Sequence, residues 1–232
     1  TADENTAVGA YALADNTTGT RNTAVGLYSL ITNTTGNNNT GVGRSALQAN
    51  TTGYDNVAIG RSSLDANTTG YANVSVGESS LTSNTTGYRN TAVGQNSMAA
   101  CTEGLENTAV GQGSSGSNVS GNYNVSMGRS SLFYNTASSN TAIGFKAMLN
   151  NTTGSSCVAM GDSALRANST ASNNTAIGMS ALTAGALGSG LAQYAATGDL
   201  KKGLLAGLTG YGLGTAMQGA GAAKAGADAT AA

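Results

Sequence analysis

The chain has 232 residues, a formal net charge of -1, and charged side chains at only 9% of positions, against roughly 25% in an average soluble protein. It contains 34 Gly but no Pro, Trp or His, which excludes Ser-His-Asp and Cys-His nucleophile pairs and any His-based metal site. Asn, Thr and Ser take the place of the missing charge. No Lys/Arg cluster exceeds the pair Lys201-Lys202, so there is no electrostatic footprint for nucleic acid.

Thr1-Ala2-Asp3-Glu4 shows no signal-peptide pattern and leads straight into a repeated unit. The unit opens on Asn-Thr-Ala-Val-Gly or a close variant, as at Asn39-Thr40-Gly41-Val42-Gly43, Asn56-Val57-Ala58-Ile59-Gly60 and Asn90-Thr91-Ala92-Val93-Gly94. Its anchor falls at Asn5, Asn22, Asn39, Asn56, Asn73, Asn90, Asn107, Asn124, Asn140, Cys157 and Asn174, with spacings of 17 except for one of 16 between Asn124 and Asn140. Ser-x-Leu and Asn-Thr-Thr-Gly separate the anchors. A fixed short period marks a solenoid, whose units bury apolar surface only against their neighbours. Seventeen residues are too few for a helix-turn-helix repeat of about 33, and each unit carries two glycine-marked turns. The expected fold is therefore an all-β parallel β-roll or β-solenoid of eleven rungs over residues 1–184.

Within each Asn-Thr-Ala-Val-Gly the residues alternate with period two, as in a strand with two distinct faces. The second and fourth positions are β-branched or apolar and are expected to point into the coil, opposite Leu13, Leu30, Leu47, Leu64, Leu81, Leu132, Leu165 and Leu182, with Met98 and Met148 substituting. The third position is always small: Ala7, Ala24, Gly41, Ala58, Ser75, Ala92 and Ala109 head that series. A uniformly small stripe on an outer face implies close approach of another backbone, so these residues are expected to pack between chains. The anchor Asn is expected to form an amide ladder, and the Asn of Asn-Thr-Thr-Gly (Asn16, Asn33, Asn50, Asn67, Asn84) to cap its own turn. Those matching the glycosylation sequon are read as turn residues.

Two copies depart from the pattern. The seventh has Ser115 where Leu is usual, with Gly113, Gly116 and Gly121 around it, and a local bulge or loosening is expected there. The short copy lacks its turn Gly, reading Asn135-Thr136-Ala137-Ser138. Cys101 and Cys157 would sit roughly 15 Å apart in a stack with ~4.8 Å rungs, beyond the ~7 Å limit for bridging, and are expected to be free thiols.

Asn-Thr-Ala-Val-Gly followed by Ser-x-Leu resembles the head repeats of trimeric autotransporter adhesins, and the longer spelling with Asn-Thr-Thr-Gly is similar to repeats in bacteriophage tail fibres. The resemblance covers about residues 5–184 and implies a left-handed parallel β-roll assembled as a homotrimer.

After Leu182 the composition turns to Ala, Gly and Leu. Leu187, Leu191 and Tyr194, then Leu200, Leu204, Leu205 and Leu208, fall at helical spacings. Two short helices, roughly 186–197 and 199–213, are expected to cap the roll, lock the chains or attach them to other virion or appendage proteins, with a frayed end over the last dozen residues.

Tyr54, Tyr71 and Tyr88 occupy one repeat position in three successive copies and should form an exposed line. Such a line suits a sugar or host receptor, or simply stiffens the rod as an aromatic ladder. The acidic residues recur at no one position, and neither a calcium-binding nonapeptide nor a phosphate-cradling loop is present. The sequence thus reads as a non-enzymatic, extracellular structural fibre segment, without cofactor or metal, in a phage tail fibre or surface appendage that displays or forms a receptor-binding surface. The alternative is a bacterial cell-surface adhesin head that binds glycan or host matrix directly. An ice-binding solenoid ranks lower, because the Thr-Thr pair sits on a turn.

Overall fold

A computed structural model describes residues 2–182. They form one right-through stack of eleven three-residue strands, from β1 (Thr6–Val8) and β2 (Thr23–Val25) through β4 (Val57–Ile59), β7 (Thr108–Val110) and β8 (Val125–Met127) to β11 (Thr175–Ile177). The order in the sheet is the order in the chain, and every neighbouring pair is parallel. Each strand pairs with its equivalent one repeat on, as Thr6 does with Thr23 and Val158 with Thr175. The parallel solenoid is therefore present, with one strand per rung. The helices, the cap and the frayed end expected over 185–232 lie outside the described residues.

Outside the strands, the remaining segments of each rung also bond to the next. Thr51, Thr52 and Gly53 all donate to the carbonyl of Thr68, at 3.0, 3.2 and 3.1 Å, and Leu47 N–H donates to Ser63 O at 3.0 Å. Hydrogen bonding thus runs up the stack on all sides of the coil.

The interior contradicts one expectation. The small third position faces inward: Ala24, Ala58, Ser75, Ala92 and Ala109 are fully buried within the single chain, and Gly41 is buried with them. Ala7 occupies the equivalent place in the first rung and is exposed there. The six from Ala24 to Ala109 are packed by their own coil, and Ala7 is exposed only because no rung precedes it among the described residues, so the series does not form the inter-chain stripe expected of it. The second and fourth positions point outward, leaving Ile59, Val74, Met127 and Met160 exposed.

The reason is the width of the coil. A methyl placed on Gly41 would lie 2.7 Å from Ser29 Oγ, 3.3 Å from Ala46 O and 3.4 Å from Leu30 Cδ1. The opposite wall approaches so closely that only Ala, Ser or Gly fits under the strand. That wall consists of Leu30, Leu47, Leu64, Leu81, Met98, Leu132, Met148 and Leu165, all essentially unexposed as expected, together with small residues before them such as Ala46 and Ser63.

Reaching this wall requires sharp corners. In rung four, Asp55, Ser62 and Leu64 have φ of 55°, 52° and 53°, and the equivalent residues of other rungs do the same. A left-handed conformation costs a non-glycine residue about 1–2 kcal/mol, while burial of a Leu side chain contributes roughly 1.5–3 kcal/mol. The burial of Leu64 is large enough to offset its own strain.

The irregular copies are absorbed without breaking the sheet. β7 and β8 pair in full register, Thr108 with Val125 and Val110 with Met127, so the strand ladder has no bulge at the seventh copy. The 16-residue copy takes up its deletion in the turn, where Asn124 and Asn135 both donate to Ala137 O at 2.9 and 2.7 Å.

The inward orientation gives a direct test. Ala58→Leu should overpack the coil and cost at least about 1–3 kcal/mol, lowering the unfolding midpoint of the chain itself. Ile59→Ser on the outer face should leave the far-ultraviolet circular dichroism unchanged. A stable Ala58→Leu chain would overturn the inward assignment.

Candidate ligand-contact surface and the amide ladders behind it

The side chains exposed on the coil are arranged in columns because each repeat position stacks on itself. Tyr54, Tyr71 and Tyr88 form such a column, with ring centroids 4.9 and 4.6 Å apart and planes 4° and 7° from parallel. Tyr11 and Tyr28 stack in a second column, at 5.4 Å. The line predicted from the sequence is therefore formed, with Tyr54 exposed and Tyr71 and Tyr88 half-buried. Its geometry sets what it can touch: the facing ring surfaces of Tyr54, Tyr71 and Tyr88 cover one another, and the Arg89 guanidinium lies 5.8 Å from the Tyr88 ring centre. A sugar ring stacks on an aromatic face. What this column offers laterally is ring edges and a row of phenol groups.

The sheet supplies a second surface that the sequence reading placed inside the coil. Its outer face carries two columns, one of Thr and Val, the other of Val, Ile and Met. Arg44, Arg61, Glu78, Gln95 and Gln112 follow the strand glycines on one side of this face. Arg61 pairs with Glu78, and Gln112 Nε2 donates to Gln95 Oε1 at 3.1 Å. Arg21–Glu4 at 2.7 Å and Arg89–Glu106 at 3.2 Å bridge rungs on the other side. These pairs are solvated and screened, so they add little to stability.

Both surfaces are held by amides inside the coil. The anchor Asn residues form the expected ladder: Asn56 Nδ2 donates to Gly70 O at 2.8 Å and to Asn39 Oδ1 at 3.1 Å, while its Oδ1 accepts from Asn73 N–H at 3.0 Å. The turn Asn residues cap their own turns as expected, Asn67 Nδ2 reaching Gly70 O at 3.0 Å. They also form a second ladder, Asn67 Nδ2 to Asn50 Oδ1 at 2.7 Å, which the sequence reading did not assign. The signal available for it was the same 17-residue recurrence that identified the first. Asn33, Asn50, Asn67 and Asn84 are fully buried, in keeping with turn roles rather than glycan attachment.

Cys101 and Cys157 are free and buried, as expected. Cys101 stands in the turn ladder, and burial pushes its thiol up to about 11 from an ordinary 9.0. No protein-family model, curated protein or solved structure matches the chain.

Two outcomes follow from these contacts. Tyr71→Ala removes two stacked contacts, each about 0.5–1.5 kcal/mol, and should lower unfolding free energy by about 1–3 kcal/mol in a denaturant titration; no change would make the column a passive ornament. For Cys101, the unfolded thiol ionises at its ordinary value and the folded one about two units higher. The native state thus holds the proton through that window and loses stability as pH rises from about 9 to 11, by about 2–3 kcal/mol. Denaturant melts of wild type and Cys101→Ala across this range should diverge in slope. Parallel curves would refute the shift.

Proposed function

We propose that the chain is a structural, non-enzymatic fibre segment, extracellular in a phage tail fibre or surface appendage, whose coil associates with copies of itself and displays or forms a receptor-binding surface. The observation that carries this reading is the outer face of the sheet. Ile59, Val74, Met127 and Met160 stay exposed along one side of a coil that buries every other large aliphatic wall residue from Leu30 to Leu165. Contiguous exposed apolar surface of this kind marks an interaction site. A homotrimer, the assembly implied by the resemblance to adhesin heads, would bring three such faces together about one axis. The association surface in this reading is the Thr/Val/Ile face rather than the small stripe.

Continuous backbone bonding from rung to rung suits a load-bearing spacer, since each added repeat extends the rod without a new fold. With the outer sheet face committed to assembly, the remaining columns, including Tyr54, Tyr71 and Tyr88, face outward for a host glycan or receptor. The proposal involves no cofactor, metal or nucleic acid.

Sedimentation equilibrium of the full chain should give three times the chain mass of 22.6 kDa. Ile59→Glu combined with Val76→Glu should shift it toward monomer while retaining the β spectrum. A wild-type monomer at all concentrations would sink the self-association reading. A glycan array separates direct adhesion, which gives saturable binding lost with Tyr71→Ala, from a passive rod, which gives none.

A further inference from the structure

The two amide ladders do not run the same length. The anchor ladder continues through the middle of the coil, with Asn107 N–H donating to Asn90 Oδ1 at 3.0 Å and Asn124 N–H to Asn107 Oδ1 at 2.9 Å. The turn ladder links Asn16, Asn33, Asn50, Asn67 and Asn84 through bonds of 2.7–2.9 Å, and resumes with Asn151 to Asn135 at 2.7 Å and Asn168 to Asn151 at 2.8 Å. Between these two runs stand Cys101 and Asn118.

Cys101 has no amide to offer Asn84. As a result Asn84 Oδ1 is, among the described residues, the one buried side-chain oxygen or nitrogen without a partner. Asn118 turns back on its own turn, donating to Gly121 O at 3.0 Å and accepting from Gly121 N–H at 2.9 Å. The backbone clamp also weakens here. Thr102 N–H reaches Val119 O at 3.0 Å, but Glu103 N–H only at 3.5 Å, where the equivalent Thr52 bond is 3.2 Å.

The apolar wall thins at the same level. Ser115 replaces Leu, its hydroxyl 2.8 Å from Ser126 Oγ, and Gly116 carries no side chain. The Phe133 ring of the following rung occupies that space: a methyl on Gly116 would lie 2.7 Å from its Cε2. Three losses therefore coincide on the turn side of the coil, while the strand side stays paired in register.

We propose that this level, from Cys101 to Gly121, is a hinge built into the coil, where the turn side opens while the strand side holds, with Phe133 as the latch over it. In a stack where each rung is coupled only to its neighbours, the weakest interface sets where opening begins. An unpartnered buried oxygen and a missing Leu both lower the cost of opening there. The seam divides the coil into two blocks with separate runs of the turn ladder, while the strand ladder, the anchor amides and backbone bonds such as Met98 N–H to Ser114 O at 2.9 Å still cross it.

Native-state hydrogen exchange of the full chain, read by mass spectrometry, tests this. Amides of 99–104 and 116–121 should exchange at least tenfold faster than those of 48–53 and 65–70, the equivalent turns in the unbroken run, although these lie nearer the first rung than the seam does. Cys101→Asn should slow the fast set toward the slow one, and Phe133→Ala should accelerate it without moving 48–70. Equal or slower exchange at 99–121 in the wild type overturns the hinge, whatever the variants do. Fast exchange that Cys101→Asn fails to slow overturns its assignment to the broken amide ladder.

Discussion

The structure depends on one convergence. In each regular rung the carbonyl of the turn glycine, Gly70 for example, accepts from two Asn side chains, one at the start of the strand and one three residues before the glycine itself. That carbonyl ties the beginning of a rung to its end, and the two amides then bond to their equivalents above and below. A group in this position is buried and would be costly unpaired. Every regular rung supplies the same partners, so the cost is met by repetition; the exceptions are the rungs where Cys101 or Cys157 replaces an Asn. The core is therefore polar on its turn side and apolar between the Leu wall and the small residues under the strand, which is how a coil this narrow is built with so few large side chains.

Narrowness explains the rest of the interior. The strand carries Ala, Ser or Gly at its middle position because the opposite wall leaves no further room, and the glycines that end the strands are fixed for a similar reason. A methyl on Gly60 would meet Gly77 O at 2.5 Å, in a backbone with φ of 132° that side chains rarely adopt. The large β-branched residues are consequently displaced to the outside, where they stack in columns. Thus the packing rule that selects small residues inside also creates the apolar outer face on which the proposed assembly rests.

The same stacking determines the exposed columns. Because equivalent positions lie one above the other, Tyr54, Tyr71 and Tyr88 spend their faces on each other, and Arg61 meets Glu78 rather than a distant partner. Functional and stabilising roles are thereby coupled: a column that serves a ligand also holds adjacent rungs together. Substitutions that interrupt a ladder, such as Cys101, are tolerated because the neighbouring ladder continues.

The repeat in the sequence determined the architecture almost completely: eleven rungs, one parallel strand in each, Leu wall, anchor amide ladder, aromatic line and unbridged cysteines. All of these follow from period, since residues one repeat apart must become neighbours in a stack. Period could not determine which face of a three-residue strand points inward. Alternation of Val57, Ala58 and Ile59 is symmetric with respect to that choice, and the usual preference for burying the larger side chain pointed the wrong way. Only the distance across the coil decides it, and that distance is set by the left-handed corners at residues such as Ser62 and Leu64, whose types carry no local signal for positive φ. Likewise, the second amide ladder and its break at Cys101 emerge only when the turns are stacked and each Asn is seen to need the one in the next rung.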